Sequence, residues 1–161
     1  METRGTRADA VELVRGLILA VLAIALLGTV TELVLLEHYE QVLQLVPVVL
    51  IAAALVAIAW QVASRGAASL RALEIIMILF VLAGFAGVVA HFLGSAEFQL
   101  DLDPSMANWE LLEKVMRAKA PPLLAPGMML QMGLLGLIYV NSDVRYRTRL
   151  LRWFGRPPQK E

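Results

Sequence analysis

Two histidines are the first candidates for metal chemistry in this chain. His38 and His91 are its only imidazoles, and it contains no cysteine. Paired histidines are plausible axial ligands for haem. Gly84 and Gly87 lie seven and four residues before His91, so on a helix they would share its face and leave room for a flat group such as a porphyrin. One hypothesis is therefore a membrane redox protein in which His38 and His91 bind haem b.

Methionines extend this hypothesis to copper. Met128, Met129 and Met132 cluster in the last apolar segment, and thioether together with imidazole ligands favours Cu(I). His38, His91, Met128 and Met132 are therefore the candidate metal ligands. The competing interpretation needs no cofactor, because methionine commonly fills apolar gaps and a histidine at a helix end is commonly solvated.

Glu32 is a candidate for a transport function. It lies about one helical turn inside an apolar run, where an ionised group is costly and usually marks a pathway or a partner. A small transporter or channel that uses Glu32 is thus a further alternative, although a side chain one turn deep also reaches the headgroups. No catalytic nucleophile, metalloprotease or phosphate-binding motif occurs, which favours a non-enzymatic protein with no catalytic residues.

Long uncharged segments must position these residues. Apolar residues make up 59% of the 161 residues and the mean hydropathy is +0.71, whereas soluble proteins average about 45–50%. A run of about 18 apolar residues crosses a hydrocarbon core of about 30 Å. Four runs qualify, and they cover about 16–36, 46–63, 72–93 and 123–140. We expect an all-α, polytopic membrane protein whose single domain, 1–161, is a four-transmembrane-helix bundle in the lipid bilayer.

The segment between the third and fourth spans is also expected to be helical. Asp103 and Pro104 form a good helix start, and apolar residues then recur every three or four positions opposite charged ones. The pattern predicts an extra-membrane amphipathic helix at about 103–118. Pro47 is expected in the first turn of the second span, where its missing N–H costs nothing.

The charges predict the orientation. The formal net charge is zero, which argues against a nucleic-acid partner, but Lys and Arg collect before the first span, between the second and third, and in the tail at 141–161. The positive-inside rule then places both termini in the cytoplasm, and we expect the plasma (inner) membrane. His38 and His91 would lie at the outer ends of the first and third helices, which sit diagonally in an up-down bundle and could face one central site.

Association is the leading hypothesis for function. The second, third and fourth spans carry alanine and glycine at spacings that let helices approach closely, and little else in the sequence offers chemistry. We therefore expect a small integral membrane protein that is a non-catalytic accessory subunit of a larger membrane complex or a homo-oligomer. An absorption spectrum would separate this function from the haem and copper alternatives.

Overall fold

Four long apolar helices and one short helix make up the fold. A computed structural model describes residues 2–37, 42–117 and 124–143. The helices are α1 (Glu2–Leu35), α2 (Val42–Ser64), α3 (Ala67–Leu102), α4 (Asn108–Met116) and α5 (Leu124–Asn141). No strand occurs within these ranges. α1, α2, α3 and α5 are long and apolar enough to cross a membrane, which confirms the predicted all-α architecture with a further helix between the third and fourth spans.

The four long helices alternate in direction around a ring. α1 packs mainly against α2 and α5, and α3 packs mainly against the same two helices. α1 and α3 are therefore diagonal, as predicted. Arg15, Ser64, Ser69 and Asp143 lie at one end of the bundle, which we call the Arg15 end; the opposite end, which leads into α4, is the α4 end.

Several helix boundaries differ from the predicted ones. α3 has 36 residues and a length of about 54 Å, because the chain continues past the apolar run without a proline until Pro104. It ends at Leu102, just before the residue that precedes Pro104, where the α conformation is disfavoured. α4 correspondingly begins at Asn108 rather than 103. α2 begins at Val42, so Pro47 is inside the helix and not in its first turn.

Glycines bring α3 and α5 into close contact. A methyl group on Gly84 would lie 2.9 Å from the backbone nitrogen of Leu130, and one on Gly133 would lie 2.9 Å from the backbone oxygen of Met77. Contacts between carbon and these atoms are normally longer than 3 Å. Glycine is therefore required at both positions for the observed helix separation.

The side chains segregate as expected for a bundle in lipid. A core of buried residues such as Leu22, Ile51 and Phe80 runs through the centre. Large apolar side chains, among them Ile24 and Phe85, are exposed on the outside. Soluble monomers rarely expose continuous apolar surface on this scale, so the fold is that of a multi-pass membrane protein.

Candidate functional site: a cleft at the α4 end

A cleft of about 870 Å³ opens between α1, α2, α3 and α5 in the half of the bundle near α4. α3 contributes one continuous face of its helix, from Ala83 to Gln99, in which the lining residues recur every three or four positions. α1 contributes Thr29 and Leu33. Since α5 has only 18 residues, about 27 Å, it cannot cover the whole of α3, and the uncovered part of α3 forms one wall.

The lining changes in polarity along the cleft. Toward the middle of the bundle it consists mainly of small and apolar residues such as Ala83 and Met129, with Thr29 as a polar residue among them. Nearer the α4 end, beside apolar residues such as Phe98, it includes four polar side chains of α2 and α3: Gln44, His91, Ser95 and Gln99. The described lining is therefore amphipathic along the length of the cleft and contains no Asp, Glu, Lys or Arg.

One of the predicted metal ligands, His91, lines this cleft. Met132 is buried in the core, where the Thr29 hydroxyl lies 3.9 Å from its sulfur and donates to it. Met128 is exposed, and the methionine that borders the cleft is Met129. His38 lies outside the described residues. Within the described ranges no three His, Cys, Asp or Glu side chains group together as metal ligands would.

The expected free space beside the glycines of α3 is partly filled. The position that a side chain on Gly84 would take is occupied by Pro126 and Leu130 of α5, and the atoms nearest to a side chain on Gly87 would be those of Pro126. The prediction that Gly84 leaves room for a flat cofactor is therefore wrong, since this glycine permits helix contact instead. Gly87 also borders the cleft.

Glu32 lies on a different side of α1. It is exposed, whereas its neighbour Leu33 is buried. The cleft lining from α1 includes Thr29 and Leu33 but not Glu32. Glu32 thus faces the exterior of the described bundle.

Arg15 forms a second polar site that the sequence did not reveal, at the opposite end of the bundle. Only 7% of Arg15 is exposed. Its guanidinium donates to Asp143 Oδ2 at 3.2 Å, to Ser142 Oγ at 3.0 Å and to the Tyr139 carbonyl oxygen at 3.2 Å. It also lies over the Tyr139 ring, 4.6 Å from its centre, where a cation–π attraction adds to these bonds. The cluster ties the first half of α1 to the end of α5.

The same cluster extends to α2 and α3. Ser69 donates a hydrogen bond of 2.6 Å to Gln61 Oε1, and the Gln61 amide nitrogen lies 3.5 Å from the Tyr139 hydroxyl. No buried side-chain nitrogen or oxygen in the described residues lacks a partner. Gln61, an amide in an apolar run, was the one available sequence signal. Arg15 and Asp143 resemble ordinary flanking charges because they are 128 positions apart.

Comparison of the chain with protein-family models, curated proteins and solved structures finds no match. Function is therefore inferred from the chemistry of the cleft and of the Arg15 cluster. The Arg15 cluster satisfies its own polar groups, which is typical of a structural role. The cleft, by contrast, is open space with an organised lining, so it is the candidate functional site.

Proposed function

We propose that this protein binds one amphiphilic molecule from the membrane in the cleft, as a non-catalytic component of the bilayer. The observation that carries the proposal is the cleft of about 870 Å³, with small apolar residues in its depth and polar residues near the α4 end. Small-molecule sites typically have volumes of about 300–1,000 Å³ and combine an apolar lining with a few polar groups.

The polarity of the lining sets the orientation of the ligand in the cleft. The apolar part of the ligand lies beside Ala83 and Met129, and its polar part lies beside His91 and Gln99. In this orientation the apolar part of the ligand makes dispersion contacts with lining atoms that have no neighbour in the empty cleft. The polar part is placed where hydrogen-bonding side chains meet it.

A photoactivatable alcohol tests the proposal. The protein is reconstituted in lipid nanodiscs with decanol that carries a diazirine in its chain, irradiated, and digested for mass spectrometry. We expect labelling of the α3 face between Ala83 and Gln99. The variant Ala90→Phe should lose this labelling, because Ala90 borders the cleft and is exposed toward it.

Val89→Phe is the matched control for that experiment. Val89 is adjacent in sequence and 57% exposed, but it is not part of the cleft lining. Its labelling pattern should equal that of the wild type. Equal labelling in Ala90→Phe, or labelling spread evenly over the exposed surface of α1, would refute the proposal.

Association with a membrane-protein partner or a second copy remains our proposal for the protein's wider role. The specific observation in its favour is Trp109 of α4, which is 73% exposed, since tryptophan is enriched at protein interfaces. Mild-detergent purification with mass spectrometry tests it. A co-eluting protein that is lost from Trp109→Ala supports an accessory-subunit role, and an unchanged, monomeric elution opposes it.

The redox and transport alternatives keep separate tests. His91 in the cleft is the observation that keeps haem or copper ligation open, and a purified protein with neither a Soret band nor bound copper would exclude it. Transport through Glu32 stays a prediction, and Glu32→Gln should abolish ion flux in vesicles if it is correct.

We also infer that the Arg15 end faces the cytoplasm of a plasma (inner) membrane. The support comes from the excess of Lys and Arg at the segments that lead to this end. The tail from 144 to 161, which carries much of that charge, lies outside the described residues. A single cysteine placed in the tail should resist a membrane-impermeant maleimide in intact cells, and modification of that cysteine would reverse the orientation.

A further inference from the structure

We infer that the amphiphile has an uncharged, hydrogen-bonding head, such as an alcohol, ketone or ester, and that this head lies among Gln44, Ser95 and Gln99. The inference rests on the proposed function and specifies the class of ligand. It follows from which polar groups the lining contains and from the charges that lie just outside it.

The lining provides hydrogen bonds without charge. Gln44 and Gln99 each carry an amide that donates and accepts, and Ser95 carries a hydroxyl that does both. Within the described lining no Lys or Arg is available to neutralise a phosphate or carboxylate, and no Asp or Glu is available to neutralise an amine. A charge moved from water into such surroundings loses hydration without gaining a counter-charge.

Charges on the same part of α3 disfavour anions further. Glu97 and Asp101 are exposed. Glu97 lies two residues from Ser95 and from Gln99 on another face of the helix, whereas Asp101 lies seven residues after Gly94 and so continues the lining face beyond the cleft. A negative head beside Ser95 would be repelled by both carboxylates. The preferred order of heads is therefore uncharged first, cationic second and anionic last.

The length of the apolar wall limits the other end of the ligand. From His91 to Ala83 the lining face spans eight residues of α3, which is about 12 Å. Ala83, Ala86 and Gly87 have a methyl side chain or none, so this part of the α3 surface leaves space for a ligand. The space accepts a medium-length chain or a small ring system beneath the head.

Competition between amphiphiles of equal chain length tests the inference. Decanol, decyltrimethylammonium and decanoate are each added against the photoactivatable alcohol, at equal concentrations in the membrane as measured by partitioning. We expect decanol to prevent labelling at a concentration about tenfold or more below that of decanoate, because polar sites reject ligands whose groups they cannot match.

Variants of the polar lining show whether the head is recognised. Gln99→Leu combined with Ser95→Ala should reduce the advantage of decanol over decanoate. Gln131→Leu, which removes an exposed amide of α5 outside the lining, should leave that advantage unchanged.

The two possible failures are distinguishable. If decanoate competes as well as decanol in the wild type, or if the double variant keeps the full preference, the inference about the head is wrong while the cleft remains a binding site. If the α3 label is insensitive to Ala90→Phe, the proposed function itself fails, whatever the competitors do.

Discussion

Replacement of Arg15 by methionine is expected to weaken the join between α1 and α5 more than replacement of Asp143 by leucine. Arg15→Met removes the ion pair, the bonds to Ser142 Oγ and the Tyr139 carbonyl, and the contact with the Tyr139 ring. Asp143→Leu removes the ion pair but leaves the Arg15 guanidinium bonded to Ser142 Oγ and the Tyr139 carbonyl and in contact with the Tyr139 ring. The order of the two effects thus follows from the Arg15 contacts that only Arg15→Met removes.

The magnitude follows from distance and burial. Charges 3.2 Å apart attract by about 5 kcal/mol at an effective dielectric constant of about 20, and the desolvation of both groups offsets much of that gain. Arg15 and Asp143 are only 7% and 6% exposed, so the effect is that of a buried pair. We expect Arg15→Met, which leaves the Asp143 carboxylate buried without its counter-charge, to lower the free energy of unfolding by about 3–5 kcal/mol. Asp143→Leu should cost about 1–3 kcal/mol, because the Arg15 guanidinium then keeps its acceptors at Ser142 and Tyr139 and has the Glu12 carboxylate 3.9 Å away.

A double-mutant cycle in mixed micelles measures the coupling. The double variant should be destabilised about as much as Arg15→Met alone, which gives a coupling energy of about 1–3 kcal/mol. Glu12→Gln is the control, since Glu12 lies 3.9 Å from the same guanidinium but is mostly exposed, and it should change the stability by less than about 1 kcal/mol. Additive single effects, or a larger effect of Asp143→Leu, would refute this account of the cluster.

Two other features give independent predictions. Gly133→Ala should destabilise the bundle by about 1–3 kcal/mol in the same unfolding assay, because its methyl group would meet backbone atoms of α3 at 2.9 Å. Gly94→Ala is the control, since a methyl group there has no neighbour within 4 Å, and it should change the stability by less than about 1 kcal/mol. Equal effects of the two variants would contradict the packing argument. Hydrogen bonds from the Ser105 hydroxyl and N–H hold the pKa of Asp103 below its ordinary value. Their contribution to the order of the α3–α4 link is present above that ordinary pKa and is lost as the pH falls through the lowered one. Ser105→Ala removes the hydroxyl bond and keeps the N–H bond, so it should raise the pKa of Asp103 in an NMR titration; an unchanged pKa would show that the hydroxyl bond is not a cause of the shift.

The sequence predicted those parts of the fold that depend on one segment at a time. Each apolar run is long enough to cross a bilayer by itself, so all four spans were recognisable. The end of α3 could not be predicted in this way, because hydropathy indicates where a helix leaves the lipid and not where the helix itself ends. α3 continues from 93 to Leu102 since its polar continuation still favours helix and the first obstacle is Pro104.

The functional features depended on relations between segments. His91 was singled out from its residue type, but the cleft that it borders exists because α5 is shorter than α3 and because small residues line the exposed face of α3. Arg15 was counted as a flanking charge, since its partner comes from the other end of the chain. No local sequence pattern shows that neighbouring helices of a bundle differ in length. Likewise, no local pattern shows that two charges far apart in the chain form a pair.

The arrangement of these features explains how one bundle can be both stable and open. At the Arg15 end, a network of charge-assisted and amide hydrogen bonds joins all four long helices. In the middle, Gly133 and Gly84 bring the backbones of α3 and α5 together, and contacts that involve backbone atoms cannot relax by a change of rotamer. At the α4 end, α3 extends beyond the first residue of α5, and among the described residues no glycine contact of this kind joins the two helices beyond Gly87. Local stability in proteins follows the density of such contacts, so we expect the helices to separate more readily around Ala90 than at the Arg15 end, which would let the proposed ligand enter while the rest of the bundle keeps its packing.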